Sequence, residues 1–149
     1  MIKKTFIKFL IFISSCGYQP LYYGKNNDNY SFNKISYEGD IKINRKIISA
    51  LSFKEDPNDY NYDQLILNAS KNIIETSKNS KGQVTSYRTS LSLKFIIKDK
   101  NKTIKEKLFE KDFSYSNLEN KYDLTEYQDD VENNLINKII EELILYINL

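Results

Sequence analysis

The sequence predicts an α+β domain in which two helices pack on one face of a four-stranded, mainly antiparallel sheet, in the order β-α-β-β-β-α. Two observations carry this prediction. Residues 83–99 alternate between apolar and polar side chains, which is typical of a strand with one dry face and one wet face. Apolar residues recur at helical spacing in two other segments, 42–53 and 124–146.

The first half of the domain is predicted to contain a short strand and a helix. The strand covers residues 31–37, and Gly39-Asp40 turns the chain after it. A helix follows over 42–53, where Ile43, Ile47 and Leu51 lie one turn apart. We expect Pro57 and its neighbours to end this helix, because proline disfavours helical backbone before it.

Three further strands are expected at residues 62–76, 83–99 and 103–115. The first has Leu65, Leu67 and Ala69 on one side. In the second, Tyr87, Leu91, Leu93, Phe95 and Ile97 share one side, opposite Ser86, Arg88, Ser90, Ser92 and Lys94. The third has Phe109, Phe113 and Tyr115 on a shared face. Residues 80–82 and 99–102 are predicted to be the two connecting turns.

A long helix is expected to close the domain, from about Leu124 or Thr125 to Tyr146. Thr125 followed by Gln128 fits a capping box, in which the Thr side chain caps the start of the helix. Two neighbouring apolar rows follow: Val131, Leu135, Ile139 and Leu143, and then Ile136, Ile140, Ile144 and Ile147. A stripe of this width predicts packing against a sheet.

The first 17 residues have the order of a lipoprotein signal. A basic start precedes residues 6–13, which are apolar apart from Lys8, and Ile13-Ser14-Ser15-Cys16 and Gly17 come next. This order resembles a lipobox, whose cysteine receives a diacylglyceryl group before the signal is removed. The alternatives are a buried structural cysteine or a membrane span. The apolar run, however, is far shorter than the roughly 20 residues that a span needs.

The chain is therefore divided into a signal peptide at residues 1–15, a lipidated tether at 16–30 and one domain at 31–149. The formal net charge is +2, and the three lysines of the signal account for it, which leaves −1 on the mature chain. Without a basic stripe or a binding motif, nucleic acid is not an expected partner. Cys16 is the only cysteine, so the domain must fold without an internal disulfide.

The composition argues against an enzyme. The chain has no histidine, which removes the usual general base and the commonest metal ligand. It also has no Gly-rich phosphate loop and no nucleophile elbow. We expect no catalytic residues, no metal and no cofactor.

Several short segments resemble one known family. Cys16-Gly17-Tyr18-Gln19-Pro20-Leu21-Tyr22 is similar to the mature start of the alphaproteobacterial LPS-assembly lipoproteins, the LptE family. Tyr62-Asp63-Gln64-Leu65 and Thr89-Ser90-Leu91 fall where that family begins its second and third strands. Phe113-Ser114-Tyr115-Ser116-Asn117, with the terminal helix, is similar to its fourth strand and closing helix. The resemblance covers essentially all of the mature chain.

The resemblance implies a non-catalytic role at the outer membrane. Members of the family partner the LptD β-barrel translocon as a plug and assembly factor, and they bind lipopolysaccharide during its transport to the cell surface. The implied location is the periplasmic side of the outer membrane, with Cys16 as the lipid anchor. Gly17 agrees with this location, because an aspartate at that position commonly retains lipoproteins in the inner membrane. The alternative is a lipoprotein adaptor, such as a pilotin, of another outer-membrane channel or of the barrel-assembly complex.

Contacts with lipopolysaccharide phosphates are expected at one hairpin tip. Lys98, Lys100 and Lys102 cluster there, and several lysines together raise the local affinity for phosphate. Arg88 is a further candidate, since it loosely matches an arginine that the family has at the start of its third strand. The alternative for the lysines is a solvated turn in a lysine-rich chain.

Overall fold

The β-strands form one mixed sheet of five strands in the order β2-β1-β3-β4-β5. The computed structural model describes residues 30–58 and 62–148. The signal peptide 1–15, the lipidation site Cys16 and all of the tether except Tyr30 lie outside the described residues. The elements are β1 (Ser31–Gly39), α1 (Ile41–Leu51), β2 (Lys54–Glu55), β3 (Tyr62–Lys78), β4 (Val84–Asp99), β5 (Lys102–Ser116) and α2 (Lys121–Ile147).

The α+β class and the two helices are confirmed, but the sheet has one strand more than predicted. The additional strand, β2, is two residues long and pairs in parallel with the start of β1. β1 is also parallel to β3, because α1 carries the chain back along the sheet between them. The pairs β3–β4 and β4–β5 are antiparallel, as expected for strands joined by tight turns.

A glycine and an aspartate connect β1 to α1. Gly39 has a φ of +69°, and a Cβ at this position would lie 2.1 Å from the carbonyl oxygen of Ala69 on β3. The next N–H, that of Asp40, donates to the same oxygen at 2.7 Å. The side chain of Asp40 then accepts from the N–H of Ile43 and caps the helix. The turn predicted at Gly39-Asp40 is therefore confirmed.

Helix α1 ends two residues earlier than predicted, and Pro57 is not the cause. Ser52 adopts the left-handed conformation with a φ of 55°, and its N–H donates to the carbonyls of Ile48 and Ser49. The chain then places Phe53 in the core, where its ring lies 5.5 Å from that of Phe32. Burial of this aromatic ring directs the chain into β2.

The core lies between the helices and one face of the sheet. The inward residues predicted on β3 and β4 are buried: Leu65, Leu67, Ala69, Leu91, Leu93, Phe95 and Ile97. The apolar rows of α2 cover them with Val131, Leu135, Ile136, Ile139 and Leu143. Alternation with period two therefore identified the buried face of the central strands correctly.

Helix α2 begins at Lys121, before the predicted start. Asn120 is the N-cap, and its side chain accepts from the N–H of Tyr122 at 2.9 Å. Thr125 does not cap the helix. Its hydroxyl instead donates to the carbonyl of Lys121 inside the first turns.

Candidate interaction surfaces

The turn between β4 and β5 brings three predicted lysines to one end of the sheet. Asp99 pairs with Lys102, and Lys100 and Asn101 between them have φ values of 47° and 61°. Positive φ at both central residues is the geometry of a type I′ hairpin. The lysine tip, which we define as Lys98, Lys100 and Lys102, is therefore a single structural feature.

The lysine tip is open to solvent. Lys100 and Lys102 are exposed and Lys98 is half-buried, and none of the three forms an ion pair within the part of the chain that the structure describes. One acidic group is close, since the Lys100 N–H donates to the carboxylate of Asp63. The ammonium groups remain available to an anionic ligand.

Two lysines that follow the tip on β5 have structural roles. Lys105 Nζ donates to the carbonyls of Tyr146 and Ile147, at 3.4 and 3.0 Å, and so satisfies the C-terminal end of α2. Lys107 Nζ lies 4.8 Å from the centre of the Phe109 ring and 5.0 Å from that of Tyr146. Both lysines face α2 and help to hold it on the sheet.

Arg88 does not belong to the lysine tip. It lies ten positions before Lys98 on the same strand, a separation of about 33 Å in extended backbone. Its Nε donates to Ser114 Oγ at 3.0 Å and lies 3.7 Å from the Asp112 carboxylate. Its charge is therefore partly compensated on the outer face of the sheet.

The outer face of the sheet, opposite the helices, is rich in hydroxyl groups. Ser70 and Ser92 share a hydrogen bond of 2.8 Å across β3 and β4, and Thr76 and Ser86 share one of 2.7 Å. An open groove of about 320 Å³ crosses this face from β3 to Asp112 on β5. The predicted wet face of β4 is therefore continuous with wet faces on both neighbouring strands.

The sequence interpretation missed a buried charge cluster between the two layers. Glu132 of α2 has an exposed fraction of 2%, and its carboxylate accepts from Lys71 Nζ at 2.5 Å and from Lys46 Nζ at 3.2 Å. Lys42 lies 3.9 Å from the same carboxylate. One side chain thereby joins α1, β3 and α2.

The electrostatics of this cluster keep both partners charged. Burial raises the pKa of Glu132, but the hydrogen bonds from Lys71 and Lys46 outweigh it, so the pKa lies below its usual range. The hydrogen bond to Glu132 raises the pKa of Lys71, against the opposing effect of burial. The sequence contains one signal for this site: Glu132 lies one turn before Ile136 and so continues an apolar row of α2.

Aromatic side chains cluster where α2 begins. The Tyr115 ring stacks on Tyr87 and Phe113, with centres 6.0 and 6.5 Å away, and meets Tyr127 edge-on at 5.5 Å. The Tyr115 hydroxyl shares a buried hydrogen bond of 3.0 Å with Thr89. Phe113 and Tyr127 remain 43% and 39% exposed, so this end of the core reaches the surface.

Neither described helix is long and apolar enough to cross a membrane. Over residues 30–58 and 62–148, no group of histidine, cysteine, aspartate and glutamate side chains could hold a metal ion. The features that the described residues do present are the lysine tip, the hydroxyl-rich outer face and the partly open aromatic cluster. These are surfaces suited to binding.

Comparisons with known proteins identify the fold. No family model matches the chain, and no curated protein matches it in sequence. The crystal structure of rare lipoprotein B from Shewanella oneidensis is similar, with a TM-score of 0.54 and 12% identity, over 76% of this chain and 92% of that one. The solution structure of an uncharacterized lipoprotein B from Nitrosomonas europaea has a TM-score of 0.54 and 9% identity, over 80% and 86%. The chain thus has the fold of the lipoprotein B structures.

Proposed function

We propose that the protein is a lipoprotein of the outer membrane that partners the LptD β-barrel translocon as a plug and assembly factor in lipopolysaccharide transport. One observation carries the proposal: a single chain combines a lipobox-like Cys16 with the fold of lipoprotein B structures. A lipoprotein anchor has two or three acyl chains, each contributing roughly 0.8 kcal/mol per buried CH₂, so attachment is stable. The role is one of binding rather than catalysis.

The outer sheet face supports the choice of a barrel as partner. The interior of a transmembrane barrel is polar, so a plug needs a polar surface that fills the lumen. Serine and threonine hydroxyls such as Ser70, Ser92 and Thr76 provide short side chains on a broad sheet. Arg88 adds a positively charged side chain, which the nearby carboxylate of Asp112 holds in place. We assign the outer face to the barrel wall.

The lysine tip supports contact with lipopolysaccharide. Lys100 and Lys102 are exposed at the turn, Lys98 lies half-buried on the adjoining strand, and none of the three has an ion-pair partner in the described chain, which suits a ligand with several phosphates. The triple change of Lys98, Lys100 and Lys102 to Gln is expected to weaken lipopolysaccharide binding without unfolding the domain. The triple change of Lys81, Lys121 and Lys138 to Gln is the matched control, because it removes the same charge from three exposed positions away from the tip.

Two experiments test the anchor and the partner separately. Metabolic labelling with a fatty-acid analogue should label the wild-type protein and leave Cys16→Ala unlabelled; equal labelling would refute lipidation. Recovery of LptD with a C-terminally tagged chain from detergent-solubilised membranes would support the barrel assignment. Recovery of a secretin or of the barrel-assembly complex instead would support the alternative adaptor role.

A photo-crosslinking amino acid refines the barrel assignment. Placed at Ser92 on the outer face, it should give a cross-link to LptD, whereas the same group at Glu141 on α2 should not. Both positions lie in regular elements and neither is fully buried, so folding is not the variable. Cross-links from the α2 position alone would place the barrel against the helices and contradict our assignment.

A further inference from the structure

A groove lies between α2 and the free edge of the sheet. Its apolar floor consists of Phe113 from β5 and Tyr127, Val131 and Leu135 from one face of α2, and its volume is about 210 Å³. The two aromatic rings are about two-fifths exposed although they belong to the aromatic cluster of the core. An apolar side chain from outside could therefore bury itself against both rings.

The strand beside this groove has open backbone groups. β5 is the last strand of the described sheet and pairs only with β4. The N–H of Asn117 donates to Thr85 on β4, and antiparallel pairing alternates from residue to residue. The backbone groups of residues 110, 112 and 114 therefore point away from β4. Nearer the start of β5, the hydroxyl of Tyr146 donates to the carbonyl of Glu106 and covers the edge.

Two charges flank the groove on the helix side. Asp130 and Lys138 line it, both are exposed, and neither forms an ion pair within residues 30–58 and 62–148. Their separation along α2 is about 12 Å, from eight residues of helical rise. Four residues of extended strand span about 13 Å, and residues i, i+2 and i+4 of a strand point to one face.

The direction of the helix fixes which charge an added strand meets first. Tyr115 near the end of β5 contacts Tyr127 near the start of α2, and Lys111 pairs with Glu142 further along the helix. α2 therefore runs antiparallel to β5. A strand that pairs antiparallel with β5 runs in the direction of α2 and passes Asp130 before Lys138.

From this geometry we infer that β5 accepts an extended segment of a partner polypeptide as a sixth strand. The segment has the pattern basic–x–apolar–x–acidic. Its basic residue faces Asp130, its apolar residue enters the groove, and its acidic residue faces Lys138. The backbone bonds to β5 supply affinity and the three side chains supply specificity.

The protein's own tether does not match the segment that this groove selects. The start of the domain lies at the Tyr62 end of β3, because Phe32 pairs with Tyr62. The groove lies level with Ile73 on the same strand, because Phe113 pairs with Thr89 and Thr89 pairs with Ile73. The two places are about 37 Å apart along the strands and about 14 Å across them. The stretch from residue 23 to residue 30 spans at most about 25 Å, and only Tyr18, in a fully extended tether of about 43 Å, would cover the distance. Neither Tyr18 nor any other apolar residue of the tether has a basic residue two positions before it and an acidic residue two positions after it. The occupant is therefore another molecule.

A second copy paired antiparallel is disfavoured by charge. β5 has its lysines on the helix side and its carboxylates on the outer side, namely Lys105, Lys107 and Lys111 against Glu106, Glu110 and Asp112. When two identical strands pair antiparallel, the helix-side faces of both strands lie on the same side of the sheet, and so do their outer faces. Lysine would then oppose lysine and carboxylate would oppose carboxylate, which is destabilising. Antiparallel pairing of β5 with the β5 strand of a second copy of the protein is consequently disfavoured.

Fluorescence anisotropy with two labelled peptides tests the assignment on the full chain. The first peptide is Thr-Lys-Thr-Phe-Thr-Glu-Thr, and the second exchanges its lysine and glutamate. The wild-type protein should bind the first peptide roughly fivefold more tightly, because only that peptide forms the two exposed ion pairs with Asp130 and Lys138. The double variant Asp130→Lys, Lys138→Asp should reverse this preference. Both positions are exposed, so the variant keeps its fold, which circular dichroism checks.

Backbone pairing has its own control. The first peptide, N-methylated at the amides that would donate to β5, should lose at least tenfold in affinity, because methylation removes the donors. Equal affinity of the wild type for both charged peptides would overturn the inference, and so would an unchanged preference in the double variant. A homodimer that buries β5, detected by sedimentation, would also overturn it. None of these outcomes depends on whether LptD is recovered.

Discussion

The buried carboxylate of Glu132 is expected to stabilise the folded state, because it joins α2 to α1 and β3. Replacement by Gln keeps the shape of the side chain and removes its charge. The carboxylate accepts two hydrogen bonds from lysines, at 2.5 and 3.2 Å. A bond to a charged group contributes about 1.5–3 kcal/mol and a neutral one about 0.5–1.5 kcal/mol, so the expected loss is about 2–3 kcal/mol.

Partial exposure of the lysines limits this loss. The side chains of Lys71 and Lys46 are 31% and 37% exposed, so both ammonium groups can turn toward water when the carboxylate is removed. The loss therefore stays below the roughly 3–5 kcal/mol of a fully buried pair that is broken on one side. In urea, with a slope of about 1–3 kcal/mol per molar, the unfolding midpoint should fall by about 0.7–3 M.

The pH dependence distinguishes a charge effect from a packing effect. The pKa of Glu132 is lowered from its usual 4.5 by folding, so its charge stabilises the folded state above that value. This stabilisation is lost as the pH falls through the folded-state pKa. Wild type and Glu132→Gln should differ at pH 7 and converge in strong acid. A difference that persists in strong acid would refute the reasoning, as would equal midpoints at pH 7. Glu141→Gln, on the exposed side of the same helix, is the control.

Two further predictions concern the backbone and the aromatic cluster. Gly39→Ala should destabilise the fold by well over 2 kcal/mol, because its Cβ would meet a backbone oxygen at 2.1 Å. Gly82→Ala, at a φ of +78° in open space, should lose only about 1–2 kcal/mol, so similar urea midpoints would contradict the steric argument. Tyr115→Phe should lose about 1–2 kcal/mol by leaving the Thr89 hydroxyl unpaired. Adding Thr89→Val to Tyr115→Phe should recover part of the lost stability, which a double-mutant cycle of unfolding free energies would measure.

The features predicted correctly from sequence are those encoded within one element. The alternation of β4 identified its buried face because adjacent side chains of a strand point in opposite directions. The hairpin turn at residues 99–102 was located by its polar residues between two periodic segments, and its type I′ geometry came from the structure. The apolar rows of α2 were likewise readable over many helical turns.

The features that were missed depend on contacts between distant segments. β2 consists of two residues held by pairing with Ser31 and Phe32, and two residues carry no periodicity. The lysines that meet Glu132 are 86 and 61 positions away, so no local pattern relates them. Asn120 and Thr125 are both acceptable caps in sequence, and only the geometry of the preceding turn decides between them. The groove beside β5 also exists only in the folded chain.

The length of β3 determines how far apart the two ends of the domain lie. Its 17 residues extend over roughly 55 Å, about twice the roughly 25 Å apolar band of an outer-membrane barrel. The chain enters the domain at Tyr30, and the lysine tip lies at the same end of the sheet, where Lys98 pairs with Gln64. The turn at residues 79–83 lies at the opposite end. In the proposed form of the protein, anchored by a lipid on Cys16, the end of the domain that carries Tyr30 and the lysine tip is the end to which the anchor connects.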